Sequence, residues 1–281
     1  MINMIEFRND HGKSLSISLS SPQRYLVRSV EGLGPAKANL VTSSQALLDG
    51  GVFQKAFTDM RNIVVDLGFN PVYGGASAKT IQQLRREAYA FFTPSQKLTI
   101  LIYSFNAPTM TIVGYVESTE PAIFSQQNGL QISILCPDPH FTDEQTVGVI
   151  TKVDVNGVIE LDYQGDIAAG FDLKFTAGTV GTFRIEHQYP GHNSGMWVNR
   201  RLVGAAITDQ FWVTTRPGAR AFKMRQNNTQ AWGSQLGQLG PPTNWPMLLP
   251  GINRVRVFRH DGSSSLVQGL VLEYNNRYGG L

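Results

Sequence analysis

The feature that most constrains the fold of this chain is a series of short stretches in which apolar and polar residues alternate and which end at Gly, Pro, Asn or Ser. Such stretches include residues 14–19, 62–69, 98–103, 110–116 and 131–135. Alternation with a period of two, bounded by turn-forming residues, predicts β-strands. The 28 glycines and 14 prolines among 281 residues fit a loop-rich β protein rather than a low-complexity sequence.

One segment has a helical rather than a strand period. Between the polar side chains of residues 78–92, apolar residues recur three or four positions apart: Ile81, Leu84, Ala88 and Phe91. Ser77 is the candidate N-cap, and Pro94 closes the segment because proline cannot continue the hydrogen-bond ladder of a helix. We therefore predict a mainly β chain with one principal helix.

The second half of the chain shows strand patterns at close spacing, separated by turn sequences such as Pro217-Gly218. Many short strands of this kind are typical of a β-sandwich or a jelly roll. The two prolines of Cys136-Pro137-Asp138-Pro139 suit a domain junction better than the interior of a sheet. We therefore predict two domains, residues 1–141 and residues 142–281.

Composition and charge argue against several classes of protein. Charged residues make up 16% of the chain, which argues against disorder and against a charged helical bundle. The net charge of +3 is too small to indicate a nucleic-acid binder, and the single cysteine, Cys136, excludes an intrachain disulfide framework. The first residues lack the pattern of a secretory signal, and no apolar run approaches the ~18 residues of a membrane span. We expect cytoplasmic synthesis without membrane insertion.

The residue types that carry catalysis form no group here that indicates an enzyme. No two histidines have the spacing of metal ligands: His11, His140, His187, His192 and His260. Glu160 and Asp162 would share one face of a strand, as paired glycosidase carboxylates can, but a polar outer face gives the same pattern. Cys136 follows an apolar strand, as a buried structural thiol does, and neither a GxSxG elbow nor a P-loop is present. We predict no catalytic residue, no metal and no cofactor.

Two binding functions remain open from the residues alone. Six basic residues oppose only Asp209 in one short region: Arg200, Arg201, Arg216, Arg220, Lys223 and Arg225. Such a cluster can track phosphate, although solvated strand faces or charge pairs across a subunit contact explain it equally. The four tryptophans all lie in the second half: Trp197, Trp212, Trp232 and Trp245. A carbohydrate-binding module is therefore the alternative function, unless these rings fill the core or a subunit interface.

The most distinctive segment of the sequence is FSQQNGLQISILCPDPHF at residues 124–141. It resembles the ISxxCPDPxF segment that closes the N-terminal ring domain of distal tail proteins of long-tailed, siphovirus-type bacteriophages. The segment starts at Phe124, and its matching residues are Ile132, Ser133, Cys136, Pro137, Asp138, Pro139 and Phe141. The preceding GYVE, which begins at Gly114, resembles the strand before this segment in the family.

Three further stretches resemble the same family in the same order. RNIVVDLGF at residues 61–69 resembles its RNI…LGF strand through Arg61, Gly68 and Phe69. Residues 244–253 resemble its WPxLxPGxN stretch through Trp245, Pro246, Pro250, Gly251 and Asn253. The closing YNNRYGGL resembles its last residues through Tyr274, Tyr278, Gly280 and Leu281. Residues 20–41 match the family pattern only weakly, without a defined register.

This resemblance implies an N-terminal ring-forming β domain with one helix and a C-terminal galectin-like β-sandwich. It implies a structural protein, not an enzyme, that forms a homohexameric ring at the tail tip or baseplate around a channel for DNA. The implied partners are the tail tube protein, the tape measure protein, the tail hub protein and receptor-binding or adaptor proteins, without sequence-specific nucleic-acid binding. The implied location is the virion, after assembly in the cytoplasm of the bacterial host.

Overall fold

The computed structural model describes residues 1–44, 49–122, 128–152, 158–177, 183–189, 192–198, 208–226, 230–240, 244–259 and 267–281. Some residues that the sequence analysis singled out lie outside the described part: Phe124, Arg200, Arg201 and His260, with the side chains of His192 and Trp197. The chain divides into two compact units, Met1–Glu144 with Tyr278–Leu281, and Gln145–Arg277. The second unit is therefore inserted between the body of the first unit and residues 278–281, which we call the C-terminal tail.

The described residues are mostly β-strand. Before the insertion the strands are β1 (Ile2–Asn9), β2 (Ser14–Ser18), β3 (Tyr25–Glu31), β4 (Ala38–Ser44), β5 (Gly51–Thr58), β6 (Arg61–Phe69), β7 (Lys97–Ser104), β8 (Met110–Pro121), β9 (Gly129–Cys136) and β10 (Phe141–Asp143). Helix α1 (Ile81–Phe91) lies between β6 and β7. The following strands are β11 (Val147–Lys152), β12 (Val158–Tyr163), β13 (Phe171–Ala177), β14 (Phe183–Tyr189), β15 (His192–Val198), β16 (Asp209–Thr214), β17 (Ala221–Gln226), β18 (Gly233–Ser234), β19 (Gly251–Arg259), β20 (Val267–Tyr274) and β21 (Arg277–Tyr278). The predicted mainly β architecture is confirmed.

The main sheet of the first unit is antiparallel and runs in the order β2-β1-β7-β8-β9-β6-β3, with β10 paired to β8 and to β21. Alternate residues of its strands point to one side and form an apolar core, as the period-two pattern predicted. Helix α1 packs onto this core through Leu84 and Ala88, which are spaced one helical turn apart. The core thus lies between the helix and one face of the sheet.

The cap of helix α1 differs from the sequence prediction. Ser77 belongs to a separate short 3-10 helix, Gly75–Ser77, and Thr80 is the N-cap. The Thr80 hydroxyl accepts a hydrogen bond from the Gln83 backbone N–H, and the Gln83 side chain accepts one from the Thr80 N–H. This reciprocal capping box satisfies two otherwise unpaired N–H groups, which a cap at Ser77 would not do.

The second unit consists of two antiparallel sheets around one core. One sheet has the order β11-β20-β13-β16-β17-β18 and the other has the order β12-β19-β14-β15. Buried side chains from both sheets belong to a single apolar cluster, in which Phe175, Phe183 and Phe211 have ring centroids within 6.1 Å of one another. Two sheets that enclose one core form a β-sandwich.

No helix in the described part of the chain combines the length and the apolar character that crossing a membrane requires.

Candidate functional site

The side chain of Arg61, at the start of β6, connects three segments of the first unit that are distant in sequence. Its Nε donates to the carbonyl oxygen of Pro139 (2.6 Å), and one terminal nitrogen donates to the carbonyl oxygens of Gly32 and Gly34 (2.5 Å each). The other terminal nitrogen donates to the carbonyl oxygen of Gly279 in the C-terminal tail (2.6 Å). Three of the stretches that carry the family resemblance therefore meet at one guanidinium.

Arg61 is a buried cation without a carboxylate partner among the described residues. It is 4% exposed, and burial lowers its pKa. Its guanidinium carbon lies 4.6 Å from the ring centroid of Phe141, which is fully buried. Carbonyl oxygens and an aromatic face thus take the place of water around the charge. This arrangement holds segments together and offers no chemistry, because arginine neither gives up its proton nor acts as a nucleophile.

The C-terminal tail is fitted closely against the first unit. A Cβ atom at Gly280 would lie 2.7 Å from the backbone nitrogen of Pro35, so no larger residue fits without movement of the backbone. The Leu281 N–H donates to the carbonyl oxygen of Leu33 (3.0 Å), and Tyr278 packs against the core. The glycine of the closing motif is thus required by a close backbone approach.

The segment ISxxC forms β9, the strand between β8 and β6. Ile132 and Cys136 are fully buried, whereas Ser133 points outward with its hydroxyl 2.8 Å from Glu117 Oε2. A Cβ atom at Gly114 on β8 would lie 2.7 Å from the Cys136 sulfur, so this glycine lets the thiol pack flat against the neighbouring strand. Burial raises the pKa of the Cys136 thiol to about 12, which makes it a poor nucleophile, as the sequence predicted.

The residues between β9 and β10 form a tight turn. Asp138 Oδ1 accepts a hydrogen bond from the His140 N–H (3.2 Å), which is the geometry of an Asx turn. Pro137 is exposed, while the carbonyl oxygen of Pro139 points back to Arg61. The two prolines and the aspartate therefore fix the chain reversal that brings Pro139 to the guanidinium.

The end of β6 shows why the family pattern places a glycine before its phenylalanine. Gly68 lies opposite Gly129 on β9, and Arg28 from β3 lies over both. A Cβ atom at Gly68 would lie 2.9 Å from the Arg28 side chain, and one at Gly129 would lie 2.6 Å from it. Phe69 packs edge-on to Tyr25, with 6.0 Å between the ring centroids.

In the second unit, Asn253 organises the PGxN loop from inside. Its Nδ2 donates to the carbonyl oxygens of Leu249 and Gly251 (2.6 Å each), and its Oδ1 accepts from the Leu249 N–H (2.9 Å). His187 Nε2 lies 2.8 Å from the same Oδ1 and therefore donates, since an amide oxygen only accepts. Burial lowers the pKa of His187, so the ring is neutral at pH 7. Gly251 adopts a φ of +95°, which favours glycine.

The remaining matched residues of the second unit are also structural. Trp245 is partly buried against the core, Pro246 is buried, and the carbonyl oxygen of Pro250 accepts a hydrogen bond from the Tyr189 hydroxyl (2.9 Å). Tyr274 is 5% exposed and belongs to the same core. These residues help to shape the sandwich.

The candidate carboxylates have the geometry of a solvated strand face. Glu160 and Asp162 are both exposed on the same face of β12, as predicted. Glu160 forms an ion pair with Arg254 (2.7 Å), and both side chains are more than half exposed. Within the described ranges, no group of three or more His, Cys, Asp and Glu side chains could hold a metal ion.

Two of the described tryptophans, Trp212 and Trp232, each have a basic side chain over a ring face. Lys223 Nζ lies 4.6 Å from the Trp212 ring centroid, and the Arg225 guanidinium lies 4.7 Å from that of Trp232. The two rings also contact each other edge to face, with centroids 5.8 Å apart. A stacking platform needs a free aromatic face, so this arrangement does not favour the carbohydrate-binding alternative.

A surface that the sequence analysis missed is the hairpin of β4 and β5, which we call the exposed hairpin. These strands pair with each other in a two-stranded sheet of their own, and every residue of β5 is exposed. Apolar side chains occur on both faces: Leu40, Val41, Val52, Phe53 and Phe57. Val52 and Phe53 are adjacent in GVFQKAFT, so this strand has no period-two pattern that the sequence could have revealed. A hairpin with two apolar faces lacks the buried side that normally stabilises such an element.

Comparison with solved structures identifies the fold. The chain matches the crystal structure of the SPP1 Dit protein, described as a paradigm of the hub adsorption apparatus in phages that infect Gram-positive bacteria. This match has a TM-score of 0.66 and 12% identity and covers 97% of this chain and 98% of that one. A chain of the phage P2 baseplate in its activated conformation with Ca matches at a TM-score of 0.51 and 5% identity, over 100% of both chains. No protein-family model and no curated protein matches the sequence. The resemblance noted in the sequence is therefore confirmed for the fold.

Proposed function

We propose that this chain is a distal tail protein, a structural component of the tail tip or baseplate of a long-tailed bacteriophage. The observation that carries the proposal is the shared fold over nearly the full length of a phage hub protein. A match of this extent includes both units and their order, which a single common β domain would not give. Fold alone does not define function, so the sequence motifs supply the second line of support.

The motifs support the proposal because they are physically connected. The RNI, CPDPxF and closing GL stretches were recognised separately in the sequence, and all three contact Arg61 or its neighbours. In a structural protein, the residues of such motifs are expected to maintain the fold rather than to take part in a reaction. The buried thiol and the paired Glu160 fit this role and not that of an enzyme.

Self-assembly into a ring, which we take to be hexameric, is supported by the exposed hairpin. Full burial of a Phe, Leu or Val side chain contributes about 1.5–3 kcal/mol, so the apolar residues of this hairpin can stabilise a subunit contact substantially. In this proposal the hairpin covers a different surface of the neighbouring copy, so that the contacts join copies head to tail. Such heterologous contacts close into a ring when the rotation between subunits permits it.

The ring would surround a channel through which DNA passes. Residues 1–141 contain eleven basic and ten acidic residues, a balance that avoids strong attraction to phosphate. The tail tube, tape measure and hub proteins would contact the ring, and receptor-binding or adaptor proteins would attach around it. Assembly in the host cytoplasm and a final place in the virion follow from this role.

The test is the mass and shape of the full-length protein in solution, measured by light scattering and negative-stain electron microscopy. We expect rings of six subunits with an open centre. A protein that stays monomeric at every concentration examined would contradict self-assembly. The variant Phe53→Ser with Phe57→Ser should reduce ring formation, while its far-ultraviolet circular dichroism stays unchanged.

A matched control is available at Phe105, in the turn between β7 and β8. Phe105 is 62% exposed and Phe53 is 61% exposed, so the two positions differ in location rather than in exposure. Phe105→Ser should leave ring formation intact. Equal loss of assembly in both variants would show that general surface hydrophobicity, and not the exposed hairpin, drives association.

A further inference from the structure

The edge of the main sheet at β2 presents backbone groups that have no strand partner. β2 is the first strand in the order of this sheet, and among the described strands it pairs with β1 alone. Just before β2, in the same register, the Asn9 N–H donates to the Lys13 carbonyl oxygen (3.0 Å). Because antiparallel strands bond to each other at every second residue, Ser14 and Ser16 direct their N–H and C=O groups away from β1.

A cavity of about 410 Å³ adjoins this open edge, between β2 and helix α1. Its lining includes Ser14, Leu15 and Ser16 from the strand and Ala88 and Phe91 from the helix. Leu15 and Phe91 both pack against the apolar core, so the cavity lies on the core face of the sheet. A segment added beside β2 as the next strand would direct alternate side chains to that face, and therefore into the cavity.

One cation in the lining of the cavity lacks a counter-charge. The Nε of Arg24 is buried without a hydrogen-bond partner, and the guanidinium forms no ion pair within the described part of the chain. Glu87, the acidic residue of the lining, is already paired with Lys79 (2.5 Å), and the Tyr25 hydroxyl donates to the Leu84 carbonyl oxygen (3.0 Å). A buried donor without an acceptor is costly, so an oxygen ligand at Arg24 removes that cost.

We propose that β2 accepts an extended segment of another protein as an additional strand, with an apolar side chain in the cavity and a carboxylate on Arg24. In strand addition, backbone hydrogen bonds to an open sheet edge supply affinity, and pockets for alternate side chains supply specificity. Because both side chains must point into the cavity, they lie two residues apart in the segment. This site is separate from the exposed hairpin, so it does not depend on ring formation.

The test uses a fluorescently labelled peptide, Thr-Val-Thr-Phe-Thr-Asp-Thr with both ends blocked, and follows its binding to the full-length protein by anisotropy. We expect saturable binding that weakens about tenfold, or about 1.4 kcal/mol, in Arg24→Gln. A peptide with Asn in place of Asp should bind the wild type and this variant equally. Arg86→Gln removes an exposed arginine of α1 outside the cavity lining and should bind the acidic peptide like the wild type. Absence of saturable binding to the wild type, or equal weakening in both variants, would overturn the proposal.

Two further measurements examine the strand pairing and the identity of the occupant. Two versions of the peptide carry N-methyl groups, one version on the odd residues and the other on the even residues. One version should lose binding and the other should keep it, because only alternate N–H groups of an added strand face β2. Equal behaviour of the two versions would refute strand addition. Saturating peptide should leave the mass of the full-length protein unchanged in light scattering, whereas a fall in mass would assign the β2 edge to a contact between copies of this chain instead.

Discussion

The substitution Arg61→Ala should weaken the first unit and release its C-terminal tail. Arg61 makes four hydrogen bonds from a charged donor, each of which contributes about 1.5–3 kcal/mol. Burial of the cation costs several kcal/mol, and its removal returns that cost. The balance leaves a loss of about 3 kcal/mol in the free energy of unfolding, because four carbonyl oxygens lose their donor and the Phe141 ring loses its partner.

Two further variants serve as controls. One keeps the positive charge at position 61 without the guanidinium, and the other removes an arginine at a different position. Arg61→Lys keeps the charge but cannot reach four carbonyl oxygens with a fixed planar fork, so it should recover only part of the loss. Arg28→Ala removes an arginine whose side chain is 31% exposed and which has a single hydrogen bond to the Asn128 carbonyl oxygen (2.7 Å) and a 3.9 Å ion pair with Asp66. It should cost only about 1 kcal/mol.

The assay combines urea unfolding with hydrogen exchange of the C-terminal peptide, at one fixed protein concentration because assembly also stabilises the subunit. In Arg61→Ala the Leu281 amide, which donates to the Leu33 carbonyl oxygen in the wild type, should exchange rapidly. Wild-type protection of the tail together with a wild-type unfolding midpoint would refute the role assigned to Arg61. A lower urea midpoint with the tail still protected from hydrogen exchange would show that Arg61 stabilises the sheet but does not hold the tail.

Three further predictions concern single positions. Gly280→Val should displace the tail and raise its hydrogen exchange, whereas Gly237→Val, at an open position, should not change it. The Cys136 thiol should resist iodoacetamide at pH 8 in the native protein and react in urea, as mass spectrometry can show; rapid native labelling would contradict its burial. Burial keeps the folded-state pKa of His187 below the unfolded value of about 6.5, so the unfolded chain takes up an extra proton as the pH falls through that value. The free energy of unfolding should therefore decrease there, and His187→Gln should show a smaller decrease in urea titrations at several pH values.

The strands and the helix were predictable where a sequence pattern reports a buried face. β6 (Arg61–Phe69) agrees to within one residue with the strand predicted at residues 62–69, since its alternating residues pack on one core. The prediction of Ser77 as the helix N-cap was wrong. Ser77 and Thr80 both carry a hydroxyl group, but only Thr80 has a glutamine three positions later to complete the capping box. The exposed hairpin was missed for the opposite reason, since an element with apolar residues on both faces has no polar side to mark its period.

The candidate site was predictable as a set of residues but not as an arrangement. The resemblance named Arg61, Pro139, Phe141 and Gly280 separately, and no periodicity in a single sequence shows that the Arg61 guanidinium contacts both the CPDPxF stretch and the closing stretch. The residue type also did not indicate that Arg61 is buried, since arginine is almost never fully buried unless it is paired. Only the folded chain shows that carbonyl oxygens, rather than a carboxylate, satisfy it.

The insertion of the second unit explains why the ends of the first unit must meet. The chain leaves the first unit after Glu144 and returns at Tyr278, so the Gly279 carbonyl oxygen that Arg61 binds is supplied from the far side of the insertion. A fragment of residues 1–141 lacks this acceptor and the backbone contact of Gly280, and it also ends after the first residue of β10. A fragment with the first unit's own ends, residues 1–144 joined by a short linker to residues 278–281, restores both. The first unit is therefore completed in space by residues that lie after the insertion in sequence, and we expect the joined fragment to be more stable than residues 1–141 in urea unfolding.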